Sequence, residues 1–146
     1  MIRIEANVFI ARPVEDVFAF TDVIENEVIW RTELVGSEKT SDGPVGVGTT
    51  GRTIYRMGGR DAESRWVITE YELNRKVTFS SGGVVMAHTG TWRYEAVPGG
   101  TKFFFIMESN DHLHGLFGRV KEAFIARVAG RGFQADLNNL KRLLEA

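Results

Sequence analysis

Residues 113–146 read LHGLFGRVKEAFIARVAGRGFQADLNNLKRLLEA. The stretch has no proline, and Leu113, Leu116, Phe117, Val120, Phe124, Val128, Leu137, Leu140 and Leu144 recur at the spacing of one helix face. Asn110 or Asp111 can cap the start, while Arg119, Lys121, Glu122, Arg127, Arg131, Lys141, Arg142 and Glu145 fill most of the opposite side. At about 1.5 Å per residue the helix is about 45 to 50 Å long, more than the width of a small domain unless something broad wraps around it. Gly130 and Gly132 interrupt the pattern. Each costs about 1 kcal/mol relative to alanine, so the pair marks either a kink or a place where room is needed beside the helix.

Upstream, the chain supplies the wrapping. Ile2, Ile4, Ala6, Val8 and Ile10 alternate with Arg3, Glu5, Asn7 and Phe9, the pattern of a strand with one buried face. Pro13 then opens a short helix with Glu15 and Asp16 in its first turn, and a second short helical piece covers residues 22–30. From residue 31 to 110 the punctuation is all turns. Strands are expected near 32–39, 49–57, 63–73, 77–81, 87–97 and 101–109, separated by Asp42-Gly43-Pro44, Gly58-Gly59, Asn74-Arg75, Gly82-Gly83 and Pro98-Gly99-Gly100. The expectation is an α+β fold in a single domain over residues 1–146. About seven antiparallel strands at about 4.8 Å spacing make a sheet as broad as the helix is long, and twist lets it curl around the helix, leaving a gap between them.

Composition narrows the function. With 43% hydrophobic residues and a formal net charge of -1, the chain lacks the basic excess that nucleic acid or an anionic surface would call for. Cysteine is absent, which excludes a disulfide framework, a thiolate metal site and a cysteine nucleophile. No apolar run approaches the roughly 18 residues of a bilayer span, and the opening MIRIEANVF alternates charged with apolar residues, unlike a signal peptide. A cytoplasmic protein without nucleic-acid partners or integral membrane association is expected.

Strand parity indicates a pocket. Arg93 and Glu95 take the wet face of their strand, which aims His88, Trp92 and Tyr94 inward; Lys102 and Glu108 likewise leave Phe103, Phe105 and Met107 on the inner parity. Trp30, Tyr55, Trp66 and Phe79 are expected to join them, with Phe117 and Phe124 facing them from the helix, although Trp66 suits the outer face equally. Any one of these aromatics is explained by core packing. Together they fit a mostly apolar small-molecule site with few polar groups. His88 is the inward histidine, suited to acid or base work or to a structural hydrogen bond. Asp111, His112 and His114 form a compact cluster, but the i, i+2 spacing lacks a clear further ligand nearby, so helix capping and a solvated loop are preferred and no metal is expected. Arg52 and Arg56 share a face opposite Tyr55 and are assigned to the solvated sheet surface. Gly46-Val47-Gly48-Thr49-Thr50-Gly51 precedes a strand and not a helix, so it is no phosphate loop, and no GxSxG elbow occurs.

Ile10-Ala11-Arg12-Pro13-Val14-Glu15-Asp16-Val17-Phe18, then Asp22, Trp30, Gly43-Pro44-Val45-Gly46-Val47-Gly48-Thr49, Trp66-Val67-Ile68-Thr69-Glu70-Tyr71-Glu72, Gly90-Thr91-Trp92 and Leu137-Asn138-Asn139-Leu140-Lys141 follow one another in a familiar order. This series resembles the START/Bet v 1-like (SRPBCC) superfamily, in its polyketide cyclase/dehydrase and lipid-transport branch. Arg12 stands where alanine is usual before the proline, and Asn74-Arg75 where proline is frequent; both departures touch turns. The resemblance implies a helix-grip fold with an elongated hydrophobic cavity between sheet and long helix. Such a fold does not by itself choose a reaction. The leading expectation is a binding protein for a hydrophobic or aromatic small molecule, lipid, quinone or polyketide-like, with no cofactor. The alternative is a cyclase or dehydratase in which His88 or Tyr55 moves a proton. An interaction module has only its unassigned edge strands to support it, and the oligomeric state is left open.

Overall fold

The computed structural model describes residues 2–84, 86–110 and 122–146. In chain order the elements are β1 (Ile2–Ile10), α1 (Val14–Asp22), a 3₁₀ turn (Ile24–Asn26), α2 (Glu27–Trp30), β2 (Leu34–Lys39), β3 (Thr50–Met57), β4 (Arg60–Glu72), β5 (Lys76–Ser81), β6 (His88–Val97), β7 (Gly100–Ser109) and α3 (Glu122–Glu145). The strands form one antiparallel sheet in the order β1-β7-β6-β5-β4-β3-β2, so β1 returns beside the last strand and the sheet curls into a half-barrel.

The elements follow from local chemistry. Every second residue of β1 from Ile2 to Ile10 is buried and the intervening ones are exposed, the outcome of one apolar face on a pleated strand. Pro13, with its φ fixed at -57°, precedes the first helical residue of α1. The β3–β4 hairpin turns at Gly58 and Gly59, whose φ values of 57° and 79° give the tight primed turn that matches strand twist and that side chains with a Cβ resist.

α3 lies along β1. Gln134 Nε2 donates to the Asn7 carbonyl (3.0 Å), Lys141 Nζ to the Phe9 carbonyl (2.8 Å), and Glu145 Oε2 accepts the Ala11 N–H (2.8 Å). Side chains of the helix thereby occupy polar groups of an edge strand that would otherwise be open to a further strand. Leu137 and Leu140 are fully buried, Phe133 is buried, and Ala126, Ala129 and Leu144 pack partly against the core. The buried stripe is therefore 126-129-133-137-140-144.

This stripe corrects the expected one at its N-terminal half. Phe124 is 61% exposed and Val128 54% exposed. Phe124 is nine residues before Phe133, about two and a half turns, which puts it on the opposite side of the helix. The large apolar residues suggested one register, and small alanines set another, because they allow the helix to sit close to the sheet. Leu113, Leu116, Phe117, Val120 and the Asp111, His112, His114 group lie outside the described residues. The helix runs through both glycines. A Cβ on Gly130 would stand 3.7 Å from Ile4 Cγ2 and one on Gly132 3.5 Å from Glu33 Oε1, ordinary contacts, so neither is required by a close approach. No described helix is long and apolar enough to cross a membrane.

Candidate functional site

The inner parity of the sheet converges on a cavity of about 50 Å³. Tyr55 on β3, Trp66 on β4, Phe79 on β5, His88 and Trp92 on β6 and Phe105 on β7 all line it. These are six of the ten residues expected at the site. Trp30 and Met107 are buried but are not among the lining residues, Trp30 standing edge-on to Trp92, Phe103 and Phe105 at ring distances of 5.7, 6.2 and 6.5 Å. Phe124 does not reach the lining for the helical reason above, and Phe117 lies outside the described residues.

The aromatic wall is an interlocked set of edge contacts. Trp66 meets Phe79 at 5.2 Å and 86°, and Phe79 meets Trp92 at 4.8 Å and 67°, geometries in which ring edges face ring faces. Trp66 packs inward and not on the outer face. Its indole lies across Gly51 on the neighbouring strand, where a Cβ would come within 2.1 Å of the ring, and its Nε1 donates to Thr53 Oγ1 at 3.0 Å. Gly90 does the reverse: a Cβ there would meet no atom of the described residues within 4 Å, so among them its bare backbone faces open space at the cavity.

Sequence reading missed the polar members. Glu27 and Arg31, one turn apart on α2 and just beyond it, enter the cavity wall with Thr53, Ser64 and Ser81. Arg31 is 6% exposed and Glu27 8%. Arg31 Nη1 donates to Glu27 Oε2 at 2.7 Å, and Ser37 Oγ donates to Glu27 Oε1 at 3.2 Å. On its other side Arg31 Nε stands 3.8 Å from Asp136 Oδ2 of α3, too far for a hydrogen bond, and neither atom has another partner. Asp136 Oδ1 accepts from the Thr32 N–H and hydroxyl at 3.2 and 3.3 Å. The guanidinium also lies over the rings of Tyr55, Phe105 and Phe133, at 5.7, 5.2 and 5.9 Å. The i, i+4 spacing of Glu27 and Arg31 was a visible signal, but a short charged turn usually means solvent.

Burial opposes the charge on Arg31, but Tyr55, Glu27 and Asp136 around it outweigh burial and hold it firmly protonated. Burial raises the Tyr55 phenol, with Arg31 pulling it partly back. Burial raises the Asp136 carboxyl against the bonds from Thr32 and the pull of Arg31. His88 is lowered, first by burial and also by repulsion from Arg31. It is therefore the neutral imidazole at neutral pH. Its Nδ1 lies 3.2 Å from the Met86 carbonyl, which can only accept; the ring proton is assigned to Nδ1, and Nε2 carries the lone pair. Arg52 and Arg56 stay on the outer surface, paired with Glu38 and Asp61. Among the described residues no group of three metal-ligating side chains occurs.

None of the described lining residues comes from α3; its contribution is indirect, through Phe133 stacked on Phe105. The pocket lies between α2 and the concave sheet.

A family profile described as polyketide cyclase/dehydrase and lipid transport matches residues 1–145. Among solved structures the chain is similar to a START superfamily protein from Mycobacterium smegmatis, with a TM-score of 0.79 and 12% identity over 99% of this chain and 98% of that one. It is also similar to the di-domain ARO/CYC StfQ from the steffimycin biosynthetic pathway, TM-score 0.79 and 13% identity, covering 99% of this chain and 51% of that one. A third is the Zhui aromatase/cyclase from a Streptomyces species, TM-score 0.77 and 16% identity over 98% and 93% of the two chains. At these identities the likeness is one of fold. No curated protein matches the sequence.

Proposed function

The chain belongs to the polyketide cyclase/dehydrase and lipid transport family, and from that premise we propose that it binds a hydrophobic or aromatic small molecule in the cavity between α2 and the concave sheet. The observation that carries this reading is the combination at Gly90: four aromatic side chains, Trp66, Phe79, Trp92 and Phe105, line one cavity with a backbone position that has no side chain and, among the described residues, faces open space. Among the described residues, packing alone gives no reason for a void at that point. The void of about 50 Å³ is smaller than the roughly 150 Å³ in which an apolar cavity takes up a benzene. A ligand ring therefore gains access by parting the aromatic edges.

One observation favours the enzyme alternative: His88, with its proton on Nδ1, lines the cavity and supplies a proton acceptor at an otherwise mostly apolar site. The similar ARO/CYC and aromatase/cyclase structures keep that reading open without deciding it.

The test is denaturing extraction of the purified protein followed by mass spectrometry, with Gly90→Ala in parallel. Gly90 has an ordinary strand conformation and open space, so alanine leaves folding intact while occupying the cavity. A small molecule released by wild type and absent from Gly90→Ala is the expected result; uptake of the neutral dye prodan serves if the natural ligand is lost on purification. Equal dye uptake by both proteins, with nothing released, overturns the reading. Time-dependent conversion of the released compound that disappears in His88→Gln promotes the enzyme.

A further inference from the structure

The ligand's chemistry is written in the polar end of the cavity, and the inference rests on the binding reading above. Ser64 Oγ and Ser81 Oγ lie 2.7 Å apart on adjacent strands, and both accept the Gly83 N–H, at 3.0 and 3.1 Å. One serine hydroxyl must donate to the other, so of their two protons one is spent between them and one is left over. Beside them across the β5–β6 ladder, Ser81 is the register partner of His88, whose Nε2 is a lone-pair acceptor. All three residues line the cavity. A spare O–H donor next to a nitrogen acceptor is the complement of one group that both donates and accepts, a hydroxyl.

The charge at the same cavity points the same way. Arg31 is the buried cation, but it is already spent: Glu27 cancels it at 2.7 Å, and Asp136 at 3.8 Å can only take the balance negative. A ligand carboxylate would meet the Glu27 carboxylate, itself part of the lining, with no uncompensated positive charge to offset its desolvation. We propose that the cavity selects a neutral aromatic ring bearing a hydroxyl, read by His88 with the Ser64–Ser81 pair, and that the Glu27–Arg31 pair excludes the corresponding carboxylic acid.

Three naphthalene probes separate these elements: 2-naphthol, 2-methoxynaphthalene and 2-naphthoate, titrated by fluorescence into the full chain at neutral pH. Wild type should bind 2-naphthol about tenfold tighter than either of the others, the range expected when a buried polar pair loses its partner. His88→Phe should bring 2-naphthol down to the level of the methyl ether. Glu27→Gln, which frees the charge of Arg31, should strengthen 2-naphthoate about tenfold. Because Glu27→Gln acts on a buried ion pair, Ser64→Ala with Ser81→Ala is the second variant; it should lower 2-naphthol and leave 2-methoxynaphthalene unchanged. If 2-methoxynaphthalene binds wild type as tightly as 2-naphthol, or 2-naphthoate binds best, the proposed selectivity is wrong while the binding reading stands. If none of the three binds, the enclosing pocket itself fails and the proposal with it.

Discussion

Phe133 of α3 stacks on Phe105 of β7, with ring centroids 4.4 Å apart and planes at 37°. This contact joins the long helix to the wall of the cavity and sets which face of the helix is inside. Phe133→Ala should cost about 3 to 5 kcal/mol and loosen the cavity wall, whereas Phe124→Ala, on the exposed side, should cost under about 1 kcal/mol. Chemical denaturation of the two variants checks this. Equal losses would mean that the stripe runs through Phe124 after all.

Glu27 and Arg31 are both buried and each is the other's close partner. Removing one leaves an uncompensated charge in a poorly hydrated place, so Glu27→Ala should destabilise by about 3 to 5 kcal/mol. Glu27→Leu with Arg31→Met removes both charges, and the double variant should lose less than the sum of the single ones, a coupling of about 1 to 3 kcal/mol. A double-mutant cycle read from urea unfolding gives the coupling directly. Additive losses would show that the pair is held in place by its surroundings and contributes little of its own.

Asp136 connects the same cluster to pH. Burial raises its carboxyl above the ordinary 3.8. The folded protein therefore keeps this proton to higher pH than the unfolded chain does. Its contribution to stability is largest below the unfolded value and is lost as pH rises through the folded one. Asp136→Asn preserves an acceptor for Thr32 and abolishes the titration. Relative to wild type, the variant should gain stability as pH is raised from about 4 toward neutrality. Unfolding midpoints of both proteins across that interval decide it; a wild type that gains on the variant with rising pH contradicts the assigned sign.

Much of the fold was legible because its signals are local. Alternation in Ile2–Ile10 needs only the pleat of a strand, Pro13 needs only its own ring, and the Gly58-Gly59 and Asn74-Arg75 turns carry their own conformational preferences. Strand parity likewise aimed His88, Trp92 and Phe105 inward, since period-2 alternation determines facing wherever the register is known, whereas Trp66 suited either face until the structure laid it across Gly51. What only the tertiary structure decided is where separate segments meet. Glu27 and Arg31 carry no local sign of burial; it is Ser37, Tyr55, Phe105 and Asp136 that close over them, the last from more than a hundred residues along the chain. The register of α3 was decided the same way. Hydrophobicity in the sequence favoured Phe124 and Val128, yet the sheet selects a face by how closely a helix can approach, and Ala126, Ala129 and Phe133 fit the concave surface that β1 and β7 present.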